Sequence, residues 1–314
     1  MLSSIPRSDI VGMPMVGLGT SLLPLETTSS IISTAINLGY THFDCAHIYK
    51  NEQQIGTALE HIKNRQDLFI TSKLWSGDHT PDRVLPACKL TLRNLRLDYL
   101  DMYLIHLPFR LGPNNEPLYY KKEWIIETWR EMVKLKESGM TRHIGVSNFT
   151  IKKLKWLMEE DETPENNQGK LFGIRVELHP YLPQHELVQF CKENGIVASA
   201  YAPLGSFNKK TPYVDTTAPG IPNILEDPLI GQIAKRHNAS PAQILLKWNI
   251  RRGCPVLVKS THEERMKENL KSLDINLTPH DLELIDKINI KRRYYNLKFF
   301  IPTSYYDEGV FDGE

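Results

Sequence analysis

Eight short β-rich runs, separated by segments of helical period, constrain this chain more than any other feature. The runs span 15–20, 41–46, 68–75, 100–107, 143–148, 172–179, 196–204 and 255–260, and several are almost continuously apolar. Strands of that kind are covered on both faces, as in parallel sheets. Amphipathic helices are expected between them over 28–38, 52–63, 81–95, 122–137, 151–160 and 184–193. Thr28, Asp82 and Thr150 suit helix starts, and Gly39, Gly139 and Gly195 suit helix ends. An alternation this long, with no linker-like break in composition, predicts an α/β fold: a closed (β/α)8 TIM barrel taking up residues 1–314 as a single domain. An open doubly wound sheet is the alternative. It is weakened because Gly17-Leu18-Gly19 runs on into Thr20-Ser21-Leu22 without a third glycine or a helix.

Charge narrows what such a fold can do. Lysine and arginine total 38 against 37 aspartates and glutamates, which argues against a nucleic-acid or polyanion partner. No apolar run approaches the ~18 residues needed to cross a bilayer, so no membrane partner is expected. The four cysteines, Cys45, Cys88, Cys191 and Cys254, are scattered and form no CxxC pair. They indicate neither a disulfide framework nor a zinc site, and a reducing, cytoplasmic setting follows as the expectation. Three stretches read as excursions from the barrel: 110–120, 161–170 and 206–222. The first and third are candidate lids among long loops at the C-terminal face. The aromatic tail, 296–314, is expected to pack across the barrel mouth.

Polar residues at the C-terminal ends of barrel strands point at the site, whereas apolar ones fill the interior. Asp44 ends the second strand, Tyr49 follows it, Lys73 lies inside the third and His106 ends the fourth. A lysine inside a barrel strand is costly unless paired, and Asp44, one strand over, is its natural partner. Each residue alone has an ordinary structural explanation. Together they describe a phenolic proton donor whose acidity is tuned by a nearby ammonium, with a carboxylate anchoring the cation.

At this point the sequence resembles the aldo-keto reductase family, of the aldose and aldehyde reductase type. The resemblance rests on MPMVGLGT (13–20), FDCAHIYKNE (43–52), TSKLW (71–75), DMYLIH (101–106), IGVSNF (144–149), ELHPY (177–181), AYAPLGS (200–206) and VKS (258–260), in the family's order and at its spacing. It implies a barrel preceded by an N-terminal β-hairpin and an NADPH/NADP+-dependent oxidoreductase that reduces aldehydes or ketones, aldoses among them, working as a monomer on a small-molecule carbonyl substrate. The implied catalytic residues are Asp44, Tyr49, Lys73 and His106, with Tyr49 as general acid; Tyr49, Trp75 and His106 would touch substrate. The implied cofactor residues are Gly19, Thr20, Asp44, Ser147, Asn148, Arg175, Tyr201, Leu204 and Ser206. For the adenosine and its 2′-phosphate they are Lys259, Ser260, Thr261, Arg265, Glu268 and Asn269, with Thr261 expected to cap the following helix.

The chain departs from the family at three places. Ile174-Arg175 stands where the family has Asn-Gln, so a cation replaces the glutamine that helps hold the nicotinamide carboxamide. Arg175 is open to three roles: bonding the same amide, pairing with Glu177 or an active-site acid, or altering cofactor affinity. Ser21 and Leu107 replace two tryptophans, which predicts a wider, less aromatic pocket. Three competing readings remain: a metal cluster at His42, Asp44 and His47, a glycosidase built on Asp44 and Glu177, and a catalytically weak NADPH-binding sensor or regulatory barrel subunit. The first lacks a second histidine-rich strand, the second leaves Lys73 unexplained, and no metal is expected.

Overall fold

The structure, a computed structural model, describes residues 5–114, 116–118, 121–160, 169–206, 223–297 and 311. Strands and helices alternate along it as β1 (Val16–Gly19), α1 (Leu25–Asn37), β2 (His42–Asp44), α2 (Glu52–Leu59), β3 (Phe69–Leu74), α3 (Pro81–Leu95), β4 (Leu100–Ile105) and α4 (Lys122–Glu137). The chain continues through β5 (Thr141–Ser147), α5 (Ile151–Glu159), β6 (Gly173–Glu177), α6 (His185–Glu193), β7 (Val197–Tyr201), α7 (Pro228–Arg236), α8 (Pro241–Arg251), β8 (Val256–Val258), α9 (Glu263–Lys271) and α10 (Pro279–Asp286). Neighbouring strands are parallel throughout, and β8 pairs back onto β1, so the sheet is a closed barrel rather than an open doubly wound one.

Every strand candidate corresponds to an observed strand, and α3 and α4 keep their expected bounds. Gly39, Gly139 and Gly195 end α1, α4 and α6 with φ of 98°, 75° and 64°, a region where a side chain is strained. Thr28 is a correction. Helix α1 starts three residues earlier, so Thr28 lies inside it and its hydroxyl donates to the Pro24 carbonyl at 2.8 Å. The N-terminal hairpin is short, with one antiparallel bridge, Arg7 to Pro14, flanked by the bonds Met15 N to Pro6 O and Ser8 N to Met13 O. Pro6 and Pro14 have no N–H with which to lengthen its ladder.

The pleat sorts side chains between the barrel's interior and its helical coat. Ile70, Leu74, Tyr103, Ile105, Ile174 and Val176 face outward into the main core under the helices. Alternate residues face inward, where Met13 plugs the bottom together with Phe69, Met102, Leu104 and Val197. By the same period, His42 and Asp44 of β2, Thr71 and Lys73 of β3, and Arg175 and Glu177 of β6 share the interior. At the mouth, Leu297 and Phe311 bury against Leu107, Phe109 and Leu111, with Trp75 packed alongside. That is the expected placement for the described part of the tail. The loop 207–222, residues 161–168 and most of 298–314 lie outside the described residues. Among the described residues, no helix is long and apolar enough to cross a membrane.

Candidate active site

Strand register brings the polar residues together. Asp44 pairs with Thr71, so Lys73, two positions further along β3, projects over the end of β2. Its ammonium reaches Asp44 Oδ2 at 2.8 Å and the Cys45 carbonyl at 2.5 Å. Both side chains are almost wholly buried, 1% and 0% exposed, so the pair exists because neither charge could be buried alone. Tyr49 ends the short 3-10 turn His47–Tyr49, and Lys73 Nζ lies 5.1 Å from its ring centroid. His106, just beyond β4, meets Tyr49 edge-on at 5.9 Å and Trp75 at 5.5 Å.

Burial dominates the acidities here. It pushes the Tyr49 phenol above its ordinary value, a direction opposite to the lowering expected from the adjacent lysine. Burial also pulls the Lys73 ammonium down to about 7 and, with Lys73 and His79 nearby, holds His106 well below the ordinary histidine range. The site therefore contains a protonated phenol and a neutral imidazole.

Arg175 is buried, and its guanidinium is ion-paired with Asp44 Oδ1. Of the roles left open by the sequence, pairing with an active-site acid is the one observed. The arginine still lines the cavity, and burial lowers it to about 9, leaving it charged at neutral pH.

A cavity of about 520 Å3 opens at the strand C-termini. Tyr49, Lys73, Trp75 and His106 line one part of it, and Ser147, Asn148, Arg175 and Tyr201 another. Ser21 and Leu107, which stand in place of two tryptophans, lie in its wall as smaller groups. Asn148 adopts φ of 64°, a left-handed conformation that asparagine tolerates. Its amide donates to the His106 carbonyl and to Ser147 Oγ, each at 3.0 Å, and accepts from the Tyr201 hydroxyl at 2.7 Å. One side chain thus ties together the loops after β4, β5 and β7.

The expected cofactor residues divide. Gly19, Leu204, Ser206 and Lys259 line the cavity. Thr20 and Asp44 do not: Thr20 is fully buried and spends its hydroxyl and its N–H on the Asp44 carbonyl. Ser260, Thr261, Arg265, Glu268 and Asn269 do not line the cavity; they follow the lining residue Lys259, on α9 and the turn before it. Thr261 is not the cap of α9. His262 holds that position, and Ser260 Oγ accepts its N–H at 3.1 Å. Glu268 accepts a hydrogen bond from Ser240, the capping residue of α8.

Sequence reasoning missed Tyr295, which lines the cavity, stands edge-on to Tyr201 at 5.2 Å and accepts from Ser206 Oγ at 3.2 Å. It is held there because Glu177 accepts the N–H of Tyr294 at 2.7 Å and of Tyr295 at 2.9 Å. That carboxylate is committed to backbone and to His179, which is not how a glycosidase would use it. His42 is turned inward on Thr71 and His47 outward on Glu52, so the pair does not converge with Asp44. Among the described residues, no three histidine, cysteine or acidic side chains are grouped to hold a metal.

A buried Asp–Lys pair thus lies behind a tyrosine, with a histidine edge-on to that tyrosine at the mouth of a parallel barrel. The aldo/keto reductase family profile matches residues 10–290. The chain belongs to the aldo/keto reductase family. Its relatives include dihydrodiol dehydrogenase 3 of Bos taurus, 38% identical over 302 residues and 91% of each chain. Prostaglandin-E(2) 9-reductase of Oryctolagus cuniculus is 38% identical over 313 residues, 95% of this chain and 94% of its own. Aldo-keto reductase family 1 member C2 of Homo sapiens is 37% identical over 310 residues, 93% of this chain and 94% of its own. As an aldo/keto reductase the chain is an oxidoreductase, and the family's substrates are small carbonyl compounds.

Proposed function

We propose that the chain uses NADPH to reduce aldehydes and ketones, aldoses among them, to alcohols, as a cytosolic monomer acting as one barrel domain. The observation that carries this is the convergence of Tyr49, Lys73 and His106 on one cavity, with Asp44 holding the lysine from behind. The four cysteines, all buried and unbridged, are compatible with a reducing compartment.

The donor set fits a dinucleotide. Lys73, Arg175 and Lys259 are in the cavity wall, and no acid is among the described residues that line it. Asn148 and Ser147 offer amide and hydroxyl groups to a carboxamide, Tyr201 offers a ring to stack on, and Lys259 with Arg265 offers charge to a 2′-phosphate. When bound there, NADPH would supply the hydride.

The chain's own contribution is the proton and the orientation. Tyr49, kept protonated by burial, gives its hydroxyl proton to the carbonyl oxygen as negative charge develops there. Lys73 stabilises the phenolate left behind, and Asp44 keeps Lys73 in position. His106, neutral, donates a hydrogen bond that fixes the carbonyl's direction. Purified protein mixed with NADPH and a panel of aldehydes, aldoses and ketones should consume reduced-cofactor absorbance. Tight NADPH binding with no turnover of any carbonyl would favour the sensor reading instead.

A further inference from the structure

The cavity has an unusual charge. Three cationic side chains, Lys73, Arg175 and Lys259, reach its wall, and none of the described lining residues is an acid. Asp44 lies behind the wall and must serve two of the three, Lys73 on Oδ2 and Arg175 on Oδ1. Glu177, two residues along β6 from Arg175, does not line the cavity, and its oxygens are taken by the N–H groups of Tyr294 and Tyr295 and by His179. One carboxylate cannot neutralise two cations, so while Lys73 is protonated the wall formed by Ser147, Asn148, Arg175 and Tyr201 keeps a net positive charge.

That wall is where the proposed function seats the nicotinamide ring, and this inference rests on that reading. The reduced ring is neutral and the oxidised ring carries a positive charge. All other groups of the two cofactor forms, the 2′-phosphate included, are the same, so their contacts cancel in a comparison. We infer that Arg175 makes the pocket discriminate by redox state, holding NADPH more tightly than NADP+ through repulsion of the cationic ring. The site then loads the reduced form from a mixed pool and releases the oxidised product readily. By the same linkage, the bound reduced cofactor holds its hydride more firmly than it would in a pocket with a neutral residue at position 175. A unit charge a few ångström away in a partly solvated site is worth about a three- to tenfold factor in affinity.

The test is a pair of binding titrations on the full chain, one with NADPH and one with NADP+, followed by quenching of tryptophan fluorescence, Trp75 being at the cavity. In the unaltered protein the dissociation constant for NADP+ should exceed that for NADPH. Arg175→Gln and Arg175→Met should reduce the ratio of the two constants about three- to tenfold, while Arg175→Lys, which keeps the charge, should leave it within about twofold. A ratio unchanged in both neutral variants, or both constants rising by one common factor, would overturn the inference and make Arg175 a general anchor. If the neutral variants do not fold, the unaltered protein decides, since equal or tighter binding of NADP+ overturns the inference by itself. Binding of neither cofactor by the unaltered protein would instead refute the functional reading beneath it, a result distinct from an unmoved ratio.

Discussion

Lys73 and Arg175 divide one carboxylate between them: Lys73 Nζ stands 2.8 Å from Asp44 Oδ2, and Arg175 holds Oδ1. All three side chains are buried, so Asp44 is the immediate counter-charge for two desolvated cations. Removing one partner of a buried ion pair leaves the other uncompensated. Asp44→Asn should therefore cost about 3–5 kcal/mol of stability, read as a lower urea midpoint, and should reduce turnover by freeing Lys73 to move. A loss below about 1 kcal/mol, the value of an exposed pair, would show that solvent already screens the cluster.

Tyr49→Phe removes a hydroxyl and keeps the ring that packs against His106. Reduction should fall by two to four orders of magnitude, roughly what a positioned general acid contributes. NADPH affinity should stay within about twofold, since the lost group acts in the proton step. Retained turnover would assign the acid to another residue.

Lys73 gives the reaction a pH dependence of predictable sign. Burial brings its ammonium down to about 7, so the charged form is present below that value and is lost above it. Tyr49 is raised and His106 lowered, so neither changes charge across the neutral range. Asp44, Cys45, Glu52, Tyr49 and Arg175 also face or surround the lysine, and none of them replaces its charge behind the phenol. The turnover number for reduction should be greatest on the acid side and decline as pH rises past neutrality, by at most about tenfold per unit. Lys73→Met should flatten that decline. A profile rising across the same range would mean that the neutral amine is the active form.

Much of this site could be read from the chain because strand period is local information. Once the runs at 41–46 and 68–75 are strands, alternation alone puts Asp44 and Lys73 on the same side, and the energetic cost of a buried lysine pairs them. Arg175 obeys the same period, but its choice of Asp44 over Glu177 depends on barrel geometry. Strands β2 and β6 lie across the barrel from each other, so no sequence spacing reports their distance. The sign of the Tyr49 shift was missed because burial depth is a property of the assembled mouth. Tyr295 was missed for a related reason. It belongs to an aperiodic segment fixed by two backbone N–H groups on one carboxylate, and backbone donors carry no residue signature.

Lys259 lines the cavity while Arg265 is exposed in the first turn of α9. If they flank the 2′-phosphate, Lys259→Glu or Arg265→Glu should weaken NADPH much more than NADH, which lacks that group. Each lost charge-assisted contact should cost about 1.5–3 kcal/mol, or roughly ten- to a hundredfold in affinity. Dissociation constants for the two cofactors provide the comparison. An equal loss for both would move the phosphate elsewhere.

Glu177 is fully buried and joins β6 to the segment that carries Tyr295 into the cavity, through bonds of 2.7 and 2.9 Å to consecutive N–H groups. Glu177→Gln keeps the size but turns one acceptor into a donor, which then faces a backbone donor. A buried polar group left unpaired costs about 1–3 kcal/mol, and here the cost falls on the local anchoring of residues 294–297 rather than on the barrel. Hydrogen exchange at Tyr294 and Tyr295 should accelerate about five- to a hundredfold, while the strands keep their protection. Because Tyr295 also touches Ser206 and Tyr201, the Michaelis constant for the carbonyl substrate should rise with a smaller change in turnover number. Exchange unchanged at those two amides would mean that the packing of Leu297 and Phe311 against Leu107 and Phe109 is sufficient to hold the segment.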